Sequence, residues 1–179
     1  MPKPILNIDD AAATEHGHGA AFAARISPLG GPLGARSMGA NLTVVPPGKA
    51  AWPYHHHYGN EEHFFVVRGA GTLRFGSETF EVRAGDYIVT PAGGPETGHQ
   101  LVNTGAEDLA YLALSTRLAP EVVGYPDSSK VGARAAPTAE GGPGLRFLIG
   151  TADLERLAYW EGEDGAAVRA LVDAANKGA

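Results

Sequence analysis

Five of the seven histidines lie between positions 55 and 99, and four of those five fall in one stretch, PYHHHYGNEEHFF. In extended backbone, side chains two apart share a face, so His55 and His57 reach toward one spot while His56 points away. Tyr58-Gly59-Asn60 reads as a turn, after which Glu61 and Glu62 open the apolar run HFFVV. Only one of two adjacent carboxylates can face the interior. Glu62 is in phase with Phe64 and Val66, Glu61 with His63 and Phe65, and phase alone does not choose between them. Imidazole and carboxylate together suit Zn, Fe, Mn, Ni or Co. The chain has no cysteine, which excludes disulfides, thiolate nucleophiles and cysteine-ligated zinc or iron–sulfur sites, so any metal site is built from nitrogen and oxygen. His16 and His18 form a second pair of this spacing, but they sit among glycines with no further ligand at a comparable distance, and they read as residues of an arm.

These side chains need a rigid frame. From Asn41 to Thr116 the sequence breaks into short β-rich runs, LTVV, EEHFFVV, TLRF, TFEV, YIVT, HQLV and LAYLALST, separated by Gly- and Pro-containing turns. Short runs at nearly even spacing indicate an antiparallel sandwich or barrel. The first 40 residues, with HGHGAAF and SPLGGPLGARSMG, read as an extended arm with one short strand near Phe22–Ile26. Pro120 to Gly144 is polar and turn-rich and reads as a surface excursion. RFLIG then reads as a last strand. The end of the chain predicts a helix: Asp164 as N-cap, an apolar stripe of Val168, Leu171, Val172 and Ala175, and Gly178 as a stop. Such a helix needs a surface to pack on, from the barrel or from a second subunit.

With 14 basic and 20 acidic residues among 179, the formal charge is −6, and no dense basic run appears. That lacks the electrostatic footprint of a nucleic-acid binder and points to a small-molecule partner. Asp9 and Asp10 stand where a signal peptide needs its apolar core, and no apolar run approaches membrane-spanning length. The expectation is therefore a cytoplasmic protein with no membrane segment. Glycines 69, 71, 85 and 93 read as turn formers.

The spacing Pro53-x-His55-x-His57, four residues, Glu62, six residues, Gly69 resembles the first sequence motif of the cupin superfamily. Gly85, five residues, Pro91-x-Gly93, then His99 and Asn103 resembles the second, with five residues (GPETG) before His99 where the usual pattern has about two. The arm and the PEVVGYPDSSKVGA segment further resemble small single-domain bacterial cupins. The resemblance implies an all-β double-stranded β-helix, a jelly-roll barrel, here with an N-terminal arm (1–40), a barrel core (41–118) and a segment (119–179) that holds the excursion, the last strand and a short C-terminal helix. It implies one divalent ion per chain (Zn, Fe, Mn, Ni or Co) held by His55, His57, Glu62 and His99, with His56 and His63 outside that set. Short barrels leave sheet edges and apolar outer faces exposed, so a homodimer is expected.

A His/Glu site with open coordination positions suits a metal-dependent enzyme acting on a small polar molecule, by dioxygenase, isomerase or lyase chemistry, and the fold alone does not choose. A general base near the metal would come from Tyr54, Tyr58, Tyr87, Tyr111 or Glu61. Phosphosugar substrates are disfavoured by the few cations from Gly48 to Asn103, namely Lys49, Arg68, Arg74 and Arg83, because a phosphate dianion wants a paired guanidinium or a helix N-terminus. The alternative is a non-catalytic module in which the metal anchors a small ligand for binding or sensing.

Overall fold

A computed structural model describes residues 3–135, 144–155, 158, 159, 161, 162 and 165–177. Its strands, in chain order, are β1 (Thr14–His18), β2 (Phe22–Pro28), β3 (Met38–Val45), β4 (His56–His57), β5 (Glu62–Arg68), β6 (Ala70–Phe75), β7 (Glu78–Arg83), β8 (Tyr87–Thr90), β9 (His99–Val102), β10 (Leu109–Thr116), β11 (Glu121–Tyr125), β12 (Lys130–Ala135) and β13 (Leu145–Gly150). One helix, α1 (Ala166–Lys177), closes the described chain. The all-β architecture with a short C-terminal helix is therefore present as expected. Among the described residues no helix is long and apolar enough to cross a membrane.

Three antiparallel sheets make the frame: β1-β2-β3-β10-β5-β8, β7-β6-β9 and β13-β12-β11-β4. The core fills the space between the first two. Val45, Phe64, Val66, Ile88, Leu109 and Tyr111 come from the large sheet, and Leu73, Val82 and Leu101 from the small one. Strand β5 shows how the alternation works. Phe64 and Val66 are buried while Phe65 between them is exposed, so Glu62, two residues before Phe64, starts the inward face and puts a carboxylate at the end of the apolar core.

The structure departs from expectation at both ends of the barrel. Before Asn41 there are two strands and the start of a third: β1 and β2 form a hairpin whose second strand pairs with β3 (Ile26 opposite Thr43), which extends the main sheet. The glycines of HGHG hide β1, because Gly17 faces the close backbone of Phe22 in the partner strand. The expected excursion from Pro120 supplies β11 and β12, joined through Pro126–Ser128 with Ser129 in the left-handed region at φ 48°. Its remainder, 136–143, lies outside the described residues. β13 matches the expected last strand. Of the helix signals, Asp164 and Gly178 lie outside the described residues, and Val168 and Val172 are exposed, so the barrel of the same chain does not cover them.

Candidate metal centre

The two-residue strand β4 is held on one side by β11, with Val123 opposite His57 and Gly124 opposite His56. Just before it, His55 bridges His99 through a reciprocal backbone pair, N–H to O at 3.2 and 2.8 Å. The alternation then works as the sequence requires. His55 and His57 turn to the barrel interior, and His56 turns to the opposite side, where it is buried and its Nδ1 meets the Gly93 carbonyl at 3.0 Å. Gly124 makes room for that ring, since a Cβ there would come 2.1 Å from His56 Nε2. Asn60 fixes the turn that follows. Its side chain donates to the Leu118 carbonyl and accepts from Thr116 Oγ1 and the Leu118 amide at 2.7–3.1 Å.

The structure brings His55, His57, Glu62 and His99 together, with one ligand-type atom of each within 4.8 Å of all the others. Glu62 Oε2 is at the centre, 3.0 Å from His99 Nε2, 3.5 Å from His57 Nε2 and 3.6 Å from His55 Nε2. Each ring is oriented from behind. His55 Nδ1 faces the Pro53 carbonyl at 2.8 Å, His99 Nδ1 the Thr97 carbonyl at 3.1 Å, and His57 Nδ1 the Glu121 carboxylate at 3.3 Å. All three partners are acceptors, so the tautomer protonated at Nδ1 satisfies each of them and is the one that turns the three Nε2 lone pairs to the common centre. His57 Nε2 is buried with no hydrogen-bond partner. That donor set, with no sulfur and one buried nitrogen left over, fits a divalent ion of the zinc-to-manganese group.

The electrostatics follow from this packing. Burial pushes the Glu62 carboxyl up, but the imidazoles of His55, His57 and His99 outweigh it and hold the group well below the usual carboxylate range. Burial pushes His57 down, yet the carboxylates of Glu62 and Glu121 on its two sides raise it above its ordinary value. His99 is lowered: burial dominates, and the attraction of Glu62 does not offset it.

Glu121, fully buried at the start of β11, was not singled out in the sequence. The available signal was the alternation Glu121, Val123, Tyr125 in EVVGY, which the flanking proline and the following PDSS turn obscure. Of the candidate bases, Tyr111 lines the same cavity as the four residues, and burial raises its phenol so that it stays protonated. The others sit elsewhere. Tyr54 donates to the Gly76 carbonyl under the Arg74 guanidinium, Tyr58 and Tyr87 are exposed, and Glu61 pairs with His63 on the outer face. Asn103 spends its side chain on Val45, Glu107 and Gly105 and so braces strands instead of serving His99. The extra residues GPETG fold into a short 3-10 turn, Pro95–Thr97, which leaves His99 in place. Trp52 lines the cavity mouth with His16 against its ring, and Trp160 lies outside the described residues.

The cavity holds about 470 Å³, with the main sheet as floor and β11–β13 as wall. Residues 41–115, which carry the floor and all four central side chains, match the family model of the Cupin domain. This barrel is a cupin domain. The chain is 36% identical over 72 residues to an uncharacterized protein of Methanocaldococcus jannaschii, covering 40% of this chain and 54% of that protein. It is 31% identical over 70 residues to the oxalate-binding protein of Thermotoga maritima, covering 39% and 54%. The chain thus spans about half the length of the curated relatives it matches. Among solved structures, it is similar to a candidate sugar phosphate isomerase of Acidithiobacillus ferrooxidans at 27% identity and a TM-score of 0.72, covering 87% of this chain and 97% of that chain.

Proposed function

We propose that this cupin is a metal-dependent enzyme that moves protons on a small polar molecule, an isomerase-type reaction, with one divalent ion held by His55, His57, Glu62 and His99. The observation that carries the reading is the arrangement of the three imidazoles. Every Nδ1 is tied back to an acceptor, and every Nε2 is left facing the one carboxylate oxygen. A divalent ion bound there supplies Lewis-acid polarisation of a substrate oxygen. The chain does the rest. Glu121 orients His57, and Tyr111, on the cavity floor, holds its proton as a hydrogen-bond donor. Proton transfer is favoured over oxygen chemistry because the similarity to the Acidithiobacillus ferrooxidans protein runs through nearly the whole chain, beyond the matched domain.

A second reading is favoured by the 31% identity to an oxalate-binding protein: the ion anchors a carboxylate ligand that is bound without turnover. One experiment separates the two. Untagged protein is purified, its metal measured by mass spectrometry, and small hydroxy-carbonyl compounds incubated with it in deuterium oxide. Metal-dependent deuterium incorporation next to the carbonyl is expected. Oxygen consumption in its place overturns the isomerase reading, and saturable oxalate binding with no exchange on any compound establishes the binding module.

A further inference from the structure

The hairpin β12–β13 forms the outer wall of the cavity, and its register brings two cations side by side. Arg134 lies directly opposite Arg146, so both side chains leave the same face of the sheet. Glu121, whose carboxylate contacts His57, is opposite Arg134 in the next strand over. Val123, opposite His57, is in turn opposite Gly132. The face that carries the two arginines is therefore the face turned to the metal centre, and both arginines line the cavity. Two strand spacings, about 10 Å of backbone, separate β12 from β4.

Like charges directly opposite each other on a sheet repel and cost stability unless an anion lies between them. Among the described residues, neither Arg134 nor Arg146 forms a salt bridge. Glu121 does not serve them, because its Oε1 faces His57 and its Oε2 has no hydrogen-bond partner. Lys130 adds a third cation on the same face, with its Nζ 5.6 Å from the Tyr125 ring. In a chain of formal charge −6, this concentration of positive charge on one cavity wall calls for a ligand.

We propose that Arg134 and Arg146 form a clamp for the phosphate group of the substrate, a phosphate monoester of a short hydroxy-carbonyl compound whose other end reaches the metal centre. The proposal deepens the enzyme reading above and rests on it for the orientation of the substrate. Two guanidinium forks offer more donors than one carboxylate can accept, whereas a tetrahedral dianion has acceptors for both and neutralises both charges. The four cations within the two sequence motifs do not compete for this role, since none of them lines the cavity. Lys49 reaches the Ala20 carbonyl, and Arg74 is engaged by Asp127 and Gln100.

The test is calorimetric titration of inorganic phosphate, and separately of malonate, into the full metal-loaded chain, using wild type, Arg134→Gln, Arg146→Gln, the double variant, and Arg68→Gln as control. Saturable phosphate binding is expected in wild type, tighter than malonate binding. Each single substitution should weaken it about tenfold or more, as for loss of charge-assisted hydrogen bonds, while Arg68→Gln leaves it unchanged. Both arginines are exposed, so thermal midpoints should hold. The same titration into metal-depleted His57→Ala separates the two readings: arginine-dependent phosphate binding should persist there. Phosphate binding that disappears with His57→Ala and survives the double arginine substitution makes phosphate a metal ligand and overturns the clamp. Tighter malonate binding, or no binding of either anion, also overturns it. Arginine-dependent binding in a wild-type protein that takes up no metal leaves the clamp standing and removes the metal centre.

Discussion

Glu121 Oε1 stands 3.3 Å from Nδ1 of His57, and the carboxylate that makes this contact has no exposure to solvent. A strand outside the two sequence motifs therefore aims one of the four central side chains. Carboxylates behind ligating histidines raise ligand basicity and fix ring orientation, and their loss costs about 10–100-fold in metal affinity. Glu121→Gln, which keeps the volume and loses the charge, should weaken metal binding in that range in a chelator-competition titration, with the fold intact. Unchanged affinity would reduce Glu121 to a packing residue.

The metal-free site makes a signed prediction for pH. His57 is raised above 6.5, so its stabilising contribution is fully present below 6.5 and is lost as pH rises through its folded value. His99 is lowered below 6.5 and acts in the opposite sense, removing stability as pH falls below 6.5. Glu62, held well below 4.5, contributes above 4.5 and loses that contribution as pH falls through its folded value. Metal-free protein should therefore be most stable at about pH 6.5 on account of these groups, while stabilisation by metal grows as pH rises and His57 gives up its proton. Thermal midpoints from roughly pH 5 to 9, with and without chelator, should diverge above about 6.5. Parallel curves would contradict the assignment of His57.

The barrel and the four central residues were legible because both depend on local patterns. Alternation in HFFVV fixes which side chains share a face, and the His-x-His spacing with Glu62 and His99 carries the motif. What escaped was set by pairing across the sheet. β1 carries Gly17 because its partner strand approaches closely there, and β11 carries Gly124 because His56 occupies the place of a Cβ. Both glycines read as loop when the partner is unseen. Glu121, Arg134 and Arg146 share the same difficulty: each looks like an ordinary surface charge until the register of β4, β11, β12 and β13 puts it on the cavity wall.

His57→Ala removes a donor from the centre, whereas His16→Ala alters a side chain of β1 that rests on Trp52. Metal occupancy should fall strongly in the first variant, and the thermal midpoint should drop further for protein prepared with metal than for metal-free protein, because an ion that binds the native state stabilises it by mass action. The second variant should match wild type in both. In wild type, metal should be released as pH falls below about 6, where free imidazole begins to protonate. Wild-type affinity in His57→Ala, or loss of binding in His16→Ala, would show that the ion is held elsewhere.

Gly124→Ala tests the positioning of β4 without touching a central side chain. The new Cβ would come 2.1 Å from His56 Nε2, so the ring or the strand pairing must shift. Overpacking of this kind costs about 1–3 kcal/mol. Because His57 is the next residue in the two-residue strand, metal affinity should fall along with stability, while Gly31→Ala, with nothing within 4 Å of its Cβ, should leave affinity unchanged. Lower stability with full affinity would mean that His57 is placed by Glu121 and Val123 alone.

The outer face of the main sheet predicts self-association. Phe65 on β5 lies opposite Tyr87 on β8, and His63 opposite Val89. Phe65, Tyr87 and Val89 are 38%, 59% and 46% exposed, and β8 is an edge of the six-stranded sheet. Contiguous apolar surface beside a free edge is costly to leave in water and is commonly covered by a second copy, which pairs the same patch with itself about a two-fold axis. Sedimentation at tens of micromolar should give a dimer. Val89→Lys, which puts a charge within the patch on an exposed position, should shift the protein toward monomer with the metal centre intact. A wild-type monomer at that concentration would rule out this association, and a Val89→Lys dimer would move the contact to another surface, where exposed Val168 and Val172 of α1 are the next apolar pair to test.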